Sequence, residues 1–181
     1  MSYGIADFVQ DLRAAVSEGL GEAAIVQRIK PLVERLARSP EWVGPVHYEC
    51  DPEQGFGVHL LHEEPDHSLW LIAAAWLPHR GAPPHTHGTW AVVAGVDGAE
   101  KNVLWQRRGD RLERHSERIL AAGQAMAFPG DAIHSVSNES ERVTLSLHLY
   151  GRNLTFAERS QFDPETGAET PFKLKLRQAV D

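Results

Sequence analysis

Gly81-Ala-Pro-Pro-His85-Thr-His87-Gly-Thr-Trp-Ala-Val-Val-Ala-Gly95 is the stretch on which the reading of this chain turns. It places two imidazoles two residues apart, beside turn-forming glycine and proline. If the segment is extended, His85 and His87 share a face, because strand side chains repeat every second residue at about 6.5 to 7 Å. Two such rings can converge on one ion at roughly 2.0–2.1 Å. A third candidate follows in Gly123-Gln-Ala-Met-Ala-Phe-Pro-Gly-Asp-Ala-Ile-His134-Ser-Val-Ser-Asn138, where a proline-glycine turn again delivers a histidine into an apolar, extended context. Together His85, His87 and His134 are candidate ligands for one metal ion.

Outward from these motifs, the 181 residues predict one domain over 1–181, with a helical segment over 1–40 and a β-barrel with its tail over 42–176. A net charge of −7 argues against nucleic-acid and anionic-membrane partners, which an acidic surface would not attract. The start of the chain lacks a basic segment followed by an apolar run, and no stretch approaches the ~20 apolar residues of a membrane span. A cytoplasmic protein is expected. Cys50 is the only cysteine, which excludes internal disulfides and agrees with a reducing compartment.

Ile5, Phe8, Val9, Leu12 and Val16 follow a spacing of threes and fours, predicting an amphipathic helix to about Gly19. Ile25, Val26, Ile29, Leu32, Val33 and Leu36 continue that period, and Pro31 predicts a break or a fresh first turn near Lys30. Ser39-Pro40 ends the helical region. From Trp42 onward, short apolar runs alternate with glycine, proline and acidic residues. Strands are predicted over 57–62, 68–77, 89–96, 100–107, 111–119, 124–128, 133–137 and 142–150, a recurrence that suits a sandwich or barrel. Phe162-Asp-Pro-Glu-Thr-Gly167 reads as a turn, and Pro171-Phe-Lys-Leu-Lys-Leu176 as a segment folding back over the barrel.

The last of the eight strands has two characters. Val143, Leu145, Leu147 and Leu149 fall on one face, and Thr144, Ser146, His148 and Tyr150 on the other. The polar row is either a solvated outer face or a set of groups bonded to one another inside the barrel, where unpartnered they would be costly. The leucine face and the sheet edges are candidate surfaces for a homo-oligomer.

Gly81, His85, His87, Gly95, Gly123, Pro129, Gly130, His134 and Asn138 resemble the two motifs of the cupin superfamily, and within it the thiol dioxygenases, the cysteine dioxygenase and 3-mercaptopropionate dioxygenase group. The resemblance covers most of the chain between about Gly57 and Phe172. It implies an all-β cupin double-stranded β-helix, a jelly-roll barrel, with the N-terminal α-helices packed outside. Ala91 and Val92 fill the window where most cupins carry a glutamate ligand, a loss for which thiol dioxygenases are known, so three histidines on Fe(II) are implied. Ser146, His148 and Tyr150 match the family's alternating serine, histidine and tyrosine, with the tyrosine reaching toward the iron. Arg159, nine residues past Tyr150, matches the arginine that binds the substrate carboxylate in bacterial 3-mercaptopropionate dioxygenases. Either His59 or Val58 falls where the family has an early-strand arginine or glutamine. No cysteine follows the histidine pair, so the cysteine–tyrosine crosslink of the mammalian-type branch is not expected.

The chemistry agrees with this family. Three neutral imidazoles leave the dipositive charge of a metal uncompensated, which favours an anionic ligand, and a thiol of pKa about 8.5 is readily deprotonated on a cation. Placing both atoms of O2 on that sulfur yields a sulfinate. The expected substrate is a small carboxylate-bearing thiol: 3-mercaptopropionate first, then cysteine or mercaptosuccinate. Two competing readings are a cupin enzyme using another divalent metal on a carbon substrate, and a non-catalytic metal- or small-ligand-binding cupin.

Overall fold

A computed structural model describes residues 3 to 173. Two helices lead, α1 (Ile5–Ser17) and α2 (Glu22–Ala37), followed by two short 3-10 turns. Eleven strands follow: β1 (Phe56–Glu63), β2 (Trp70–Trp76), β3 (Gly81–His85), β4 (Ala91–Asp97), β5 (Ala99–Arg108), β6 (Arg111–Ala121), β7 (Ala125–Phe128), β8 (Ile133–Ser137), β9 (Thr144–Tyr150), β10 (Ser160–Phe162) and β11 (Glu169–Pro171). The eight predicted strands are all present. The stretch that carries the histidine pair supplies a further one, β3, and the tail supplies β10 and β11.

The helices form as their apolar periods require. Phe8, Val9, Leu12 and Ala15 of α1 and Ile25, Val26, Ile29, Val33 and Leu36 of α2 are buried. At the start of α1 the Asp7 carboxylate accepts the Gly4 N–H at 2.9 Å, satisfying one of the free donors of the first turn. The expected break at Pro31 does not occur: α2 runs through it unbroken. Pro31 and Gln27 both lie on the exposed side, so the Gln27 carbonyl that a proline four residues later leaves unbonded faces solvent. The buried stripe on the opposite side keeps the helix together.

The strands form two antiparallel layers, one ordered β1-β2-β9-β4-β7 and the other β11-β10-β3-β8-β5-β6. Both faces of the first layer are covered. Its outer side, with Leu71, Ala73 and Ala75 of β2, Val92, Ala94 and Val96 of β4, and Leu145, Leu147 and Leu149 of β9, packs against the helices in one apolar cluster. Burial on two faces explains why β2 reads Trp-Leu-Ile-Ala-Ala-Ala-Trp without polar alternation. It also corrects one expectation: the leucine face of β9 lies under α1 and α2 and is not open to a second copy of the chain. The polar face of β9 lines the barrel interior, with Ser146, His148 and Tyr150 all buried. The solvated alternative is thereby excluded.

The tail folds back as an added edge. Asp163 Oδ1 accepts the N–H groups of Glu165 at 2.9 Å and Thr166 at 2.8 Å, closing the turn read from Phe162–Gly167. β10 then pairs with β3, with Gln161 opposite His85. The 174–176 part of the expected return segment lies outside the described residues. No helix among the described residues is long and apolar enough to cross a membrane.

Candidate metal centre

β3 and β8 bring the two histidine motifs together. Gly81 makes their approach feasible, since a Cβ there would stand 2.0 Å from the Val136 carbonyl oxygen. Gly81 pairs with Ser137 and Ala82 with Val136, after which one extra residue on β3 shifts the register and sets His85 directly opposite His134. That bulge contains Pro83 and Pro84, which have no N–H to give to a ladder. The Pro83 carbonyl accepts the His85 Nδ1–H at 2.8 Å, which leaves the Nε2 lone pair of that ring free. His87, just past the end of β3, completes the group.

The three rings are buried and converge. One ligand nitrogen from each of His85, His87 and His134 lies within 4.8 Å of the others, and Nε2 of His134 stands 3.0 Å from Nε2 of His87. Two nitrogens bound at right angles to an ion with ~2.1 Å bonds stand about 3.0 Å apart, so the spacing suits shared coordination. Burial holds all three rings below the ordinary imidazole range, His85 down to about 4, so they are neutral at physiological pH and their lone pairs are available. Among the described residues no carboxylate joins this group. The donor set fits one divalent cation held by three imidazoles.

A second set of polar groups runs along β9. The Tyr150 hydroxyl is 2.9 Å from His148 Nδ1, and His148 Nε2 is 2.8 Å from Ser146 Oγ. Burial raises the Tyr150 phenol above its usual pKa of 10.0, so it stays protonated. Its ring meets that of His87 at 5.1 Å between centroids, edge to face, which puts the tyrosine beside the metal ligands.

Arg159 arrives from the segment after β9. The Thr86 N–H donates to the Ser160 carbonyl at 2.9 Å and the Ser160 N–H donates to Thr86 Oγ1 at 3.1 Å, tying this segment to the histidine pair. Arg159 is only 8% exposed, and its guanidinium sits over the Phe172 ring, with Cζ 4.4 Å from its centroid. Its Nε and Nη2 atoms have no hydrogen-bond partner among the described residues. The ion pairs that neighbouring Glu158 or Asp163 could have offered are not formed. Burial alone lowers its pKa, yet a guanidinium remains charged at any working pH.

These groups share one cavity of about 40 Å³, bounded by apolar walls that include Phe56, Val58, Trp76 and Phe172, and by His85, His87, His134, His148, Tyr150 and Arg159. Of the two early-strand candidates, Val58 lines it. His59 does not: alternation along β1 turns it the other way, where Nε2 lies 2.9 Å from the Glu49 carbonyl and the ring packs edge-on against His47. Asn138, part of the second motif, is a turn clamp, its Nδ2 donating to the carbonyls of Trp76 at 2.9 Å and Arg142 at 2.7 Å.

Sequence reasoning missed Glu100 and Asn102, both on β5 and both buried. Asn102 Oδ1 lies 2.9 Å from His134 Nδ1, Asn102 Nδ2 donates to Glu100 Oε1 at 2.9 Å, and Ser146 Oγ donates to Glu100 Oε2 at 2.6 Å. Burial pushes the Glu100 carboxyl up, but His148, Ser146 and Asn102 outweigh it and hold the group below the ordinary carboxylate value. The available signal was polar residues at i and i+2 in a strand, the same alternation that marked Ser146 and His148.

No family model matches the chain. Solved structures similar to it include an 11S globulin from Wrightia tinctoria, at 9% identity over 66% of this chain and 30% of that one, with a TM-score of 0.50. An oxalate oxidase in complex with the substrate analogue glycolate aligns at 18% identity over 56% of this chain, with a TM-score of 0.47; the chain spans about half, 53%, of that protein's length. A Cupin_2 domain of an XRE family transcriptional regulator from Enterobacter cloacae aligns at 21% identity over 54% of this chain and 96% of its own, with a TM-score of 0.41. At 9% identity the likeness to the globulin is one of fold. The strand order, the two antiparallel layers and the external helices make this chain a cupin-type jelly roll.

Proposed function

We propose that this protein is a mononuclear, non-haem Fe(II) thiol dioxygenase that converts a small carboxylate-bearing thiol to its sulfinate. The observation that carries the reading is a single small cavity bounded by three convergent neutral imidazoles, a protonated tyrosine and a buried arginine with unpartnered nitrogens. His85, His87 and His134 would hold the metal. Ferrous iron there supplies the redox chemistry that joins a thiol and O2.

The other residues bind and orient. An unpaired buried guanidinium is costly, and a substrate carboxylate relieves that cost while fixing one end of the molecule through a planar fork of donors. The thiol end then lies toward the three nitrogens. Close apolar walls with a single charged side chain among them favour a small substrate with one anionic end. The Tyr150 ring, fixed through its hydroxyl bond to His148, packs against His87 and helps the apolar walls exclude water. Overall R–SH + O2 gives R–SO2H: sulfur loses four electrons, O2 gains them, and no external reductant enters. 3-Mercaptopropionate is the leading substrate, ahead of cysteine and mercaptosuccinate.

Anaerobic Fe(II) reconstitution followed by oxygen-uptake measurements on a thiol panel tests this, with the product identified by mass. One O2 consumed per sulfinate formed supports it. Tight metal binding without uptake on any thiol would instead favour a binding protein, and turnover of a carbon substrate without sulfinate a different cupin enzyme.

A further inference from the structure

Glu100 lies at the junction of two hydrogen-bonded arms, and the hydrogens of both run toward it. A carboxylate accepts only, so the group facing Glu100 Oε1 at 2.9 Å must be the Asn102 amide nitrogen. The Asn102 carbonyl oxygen is thereby turned to His134, 2.9 Å from Nδ1, and can only accept. His134 must therefore carry its proton on Nδ1, which leaves Nε2 a bare lone pair facing His87. On the second arm Ser146 gives its only proton to Glu100 Oε2 at 2.6 Å, so His148 donates to Ser146 through Nε2–H and its Nδ1 accepts from Tyr150. Trp76 Nε1–H, 3.1 Å from Ser146 Oγ, points the same way.

We propose that Glu100 is a positioning residue that sets the tautomer of the metal ligand His134 through Asn102, and in the same stroke orients Ser146, His148 and Tyr150. It touches neither the metal position nor the cavity. Its influence is in which nitrogen of His134 is free: a donor in place of Glu100 Oε1 lets the Asn102 amide turn round, and His134 then meets an N–H and keeps its own proton on Nε2, where it blocks coordination. The inference rests on the proposal that the three histidines are metal ligands.

The test is Co(II) affinity, measured by competition with a chromophoric chelator, together with the absorption bands of bound Co(II) and the thermal midpoint of the metal-free protein. Glu100→Gln is expected to weaken Co(II) binding by roughly 10- to 100-fold, the usual effect of losing an outer partner of a metal-bound histidine. The double variant E100Q/N102D restores an acceptor opposite His134 and a donor opposite that acceptor, and should recover most of the loss. A merely structural role would not be rescued by a second substitution. Asn102→Ala, which deletes the acceptor while leaving Glu100 bonded to Ser146, should show the same weakening and keeps the test decisive if E100Q folds poorly. Wild-type affinity in E100Q or N102A, or no recovery in a folded double variant, overturns the proposal. Failure of the wild-type protein to bind Co(II) would instead sink the metal reading itself.

Discussion

His87 and His134 stand 47 positions apart in the chain, yet their Nε2 atoms lie 3.0 Å from each other inside the barrel. With one ring bonded to Asn102, that approach suits two lone pairs meeting over a shared cation. Removing either ring should therefore be felt first as lost metal.

His87→Ala is expected to cost at least about 3 kcal/mol of metal-binding free energy, roughly a hundredfold in affinity. Metal content of the purified protein by mass spectrometry, and the rise in thermal midpoint on adding Co(II), measure it. Wild-type occupancy in the variant would remove His87 from the ligand set.

Arg159→Ala should act on one end of the substrate. A charge-assisted bond to a carboxylate is worth about 1.5–3 kcal/mol, so KM for 3-mercaptopropionate should rise roughly 10- to 100-fold. Cysteamine, which has no carboxylate, should be turned over within a few-fold of wild type. Equal losses on both thiols would refute the carboxylate role and leave the metal reading intact.

Phe172 closes the cavity between His85, whose ring centroid is 5.0 Å away, and the Arg159 guanidinium. Phe172→Ala should widen the pocket and shift preference toward thiols one methylene longer, a discrimination worth about 1–3 kcal/mol. The ratio of kcat/KM for 4-mercaptobutyrate and 3-mercaptopropionate reports it; an unchanged ratio means another wall sets chain length.

Gly88 carries the segment that presents Arg159. Its φ is +67°, and a Cβ there would stand 2.1 Å from the Glu158 carbonyl oxygen. Gly88→Ala must move that carbonyl or bend its own backbone, at a cost of about 2 kcal/mol, a fall in Tm of roughly 4–8 °C for a domain of this size. Carboxylate selectivity should fall with it. A variant with wild-type Tm and selectivity would show that the segment adjusts freely.

Acid stability has one identifiable surface contributor. Arg142 bonds the Asp97 carboxylate at 3.0 and 2.7 Å and, with help from Tyr48, holds its pKa below the ordinary value despite partial burial. The sign follows: the contribution is present above the unfolded pKa of about 3.9 and is lost as pH falls through the lower folded value. Arg142 is largely exposed and Asp97 partly so, and solvent screening keeps the contribution small. Urea unfolding of Arg142→Gln should show that small deficit at pH 7 and none near pH 2.

Much of this architecture was legible because strands with one wet or one buried face repeat every second residue. The row Ser146, His148, Tyr150 announced a face, though only the barrel decided that the face was internal. β3 escaped because Pro83 and Pro84 read as turn formers, and β10 and β11 because three residues carry no period. Pro31 misled for the opposite reason: its local penalty is real but falls on the wet side of a helix whose other side is anchored. Val58 and His59 differ by one position, and only the register of Val58 against Ala74 and His59 against Ala73 says which faces inward. Glu100 and Asn102 hid in a short polar run, Glu-Lys-Asn, which reads as a solvated strand until its partners are seen.

The ring of His85 is pinned by a backbone oxygen and that of His134 by an amide on a neighbouring strand, so neither needs a cation to find its orientation. Two of the three supports are thus in place before the guest arrives, and His87, whose Nδ1 has no hydrogen-bond partner among the described residues, is set by the rings packed around it. Stripping with a chelator should leave a folded shell that takes up a replacement ion without refolding, and the supply of metal, rather than the assembly of the polypeptide, would then govern how much of the protein is loaded.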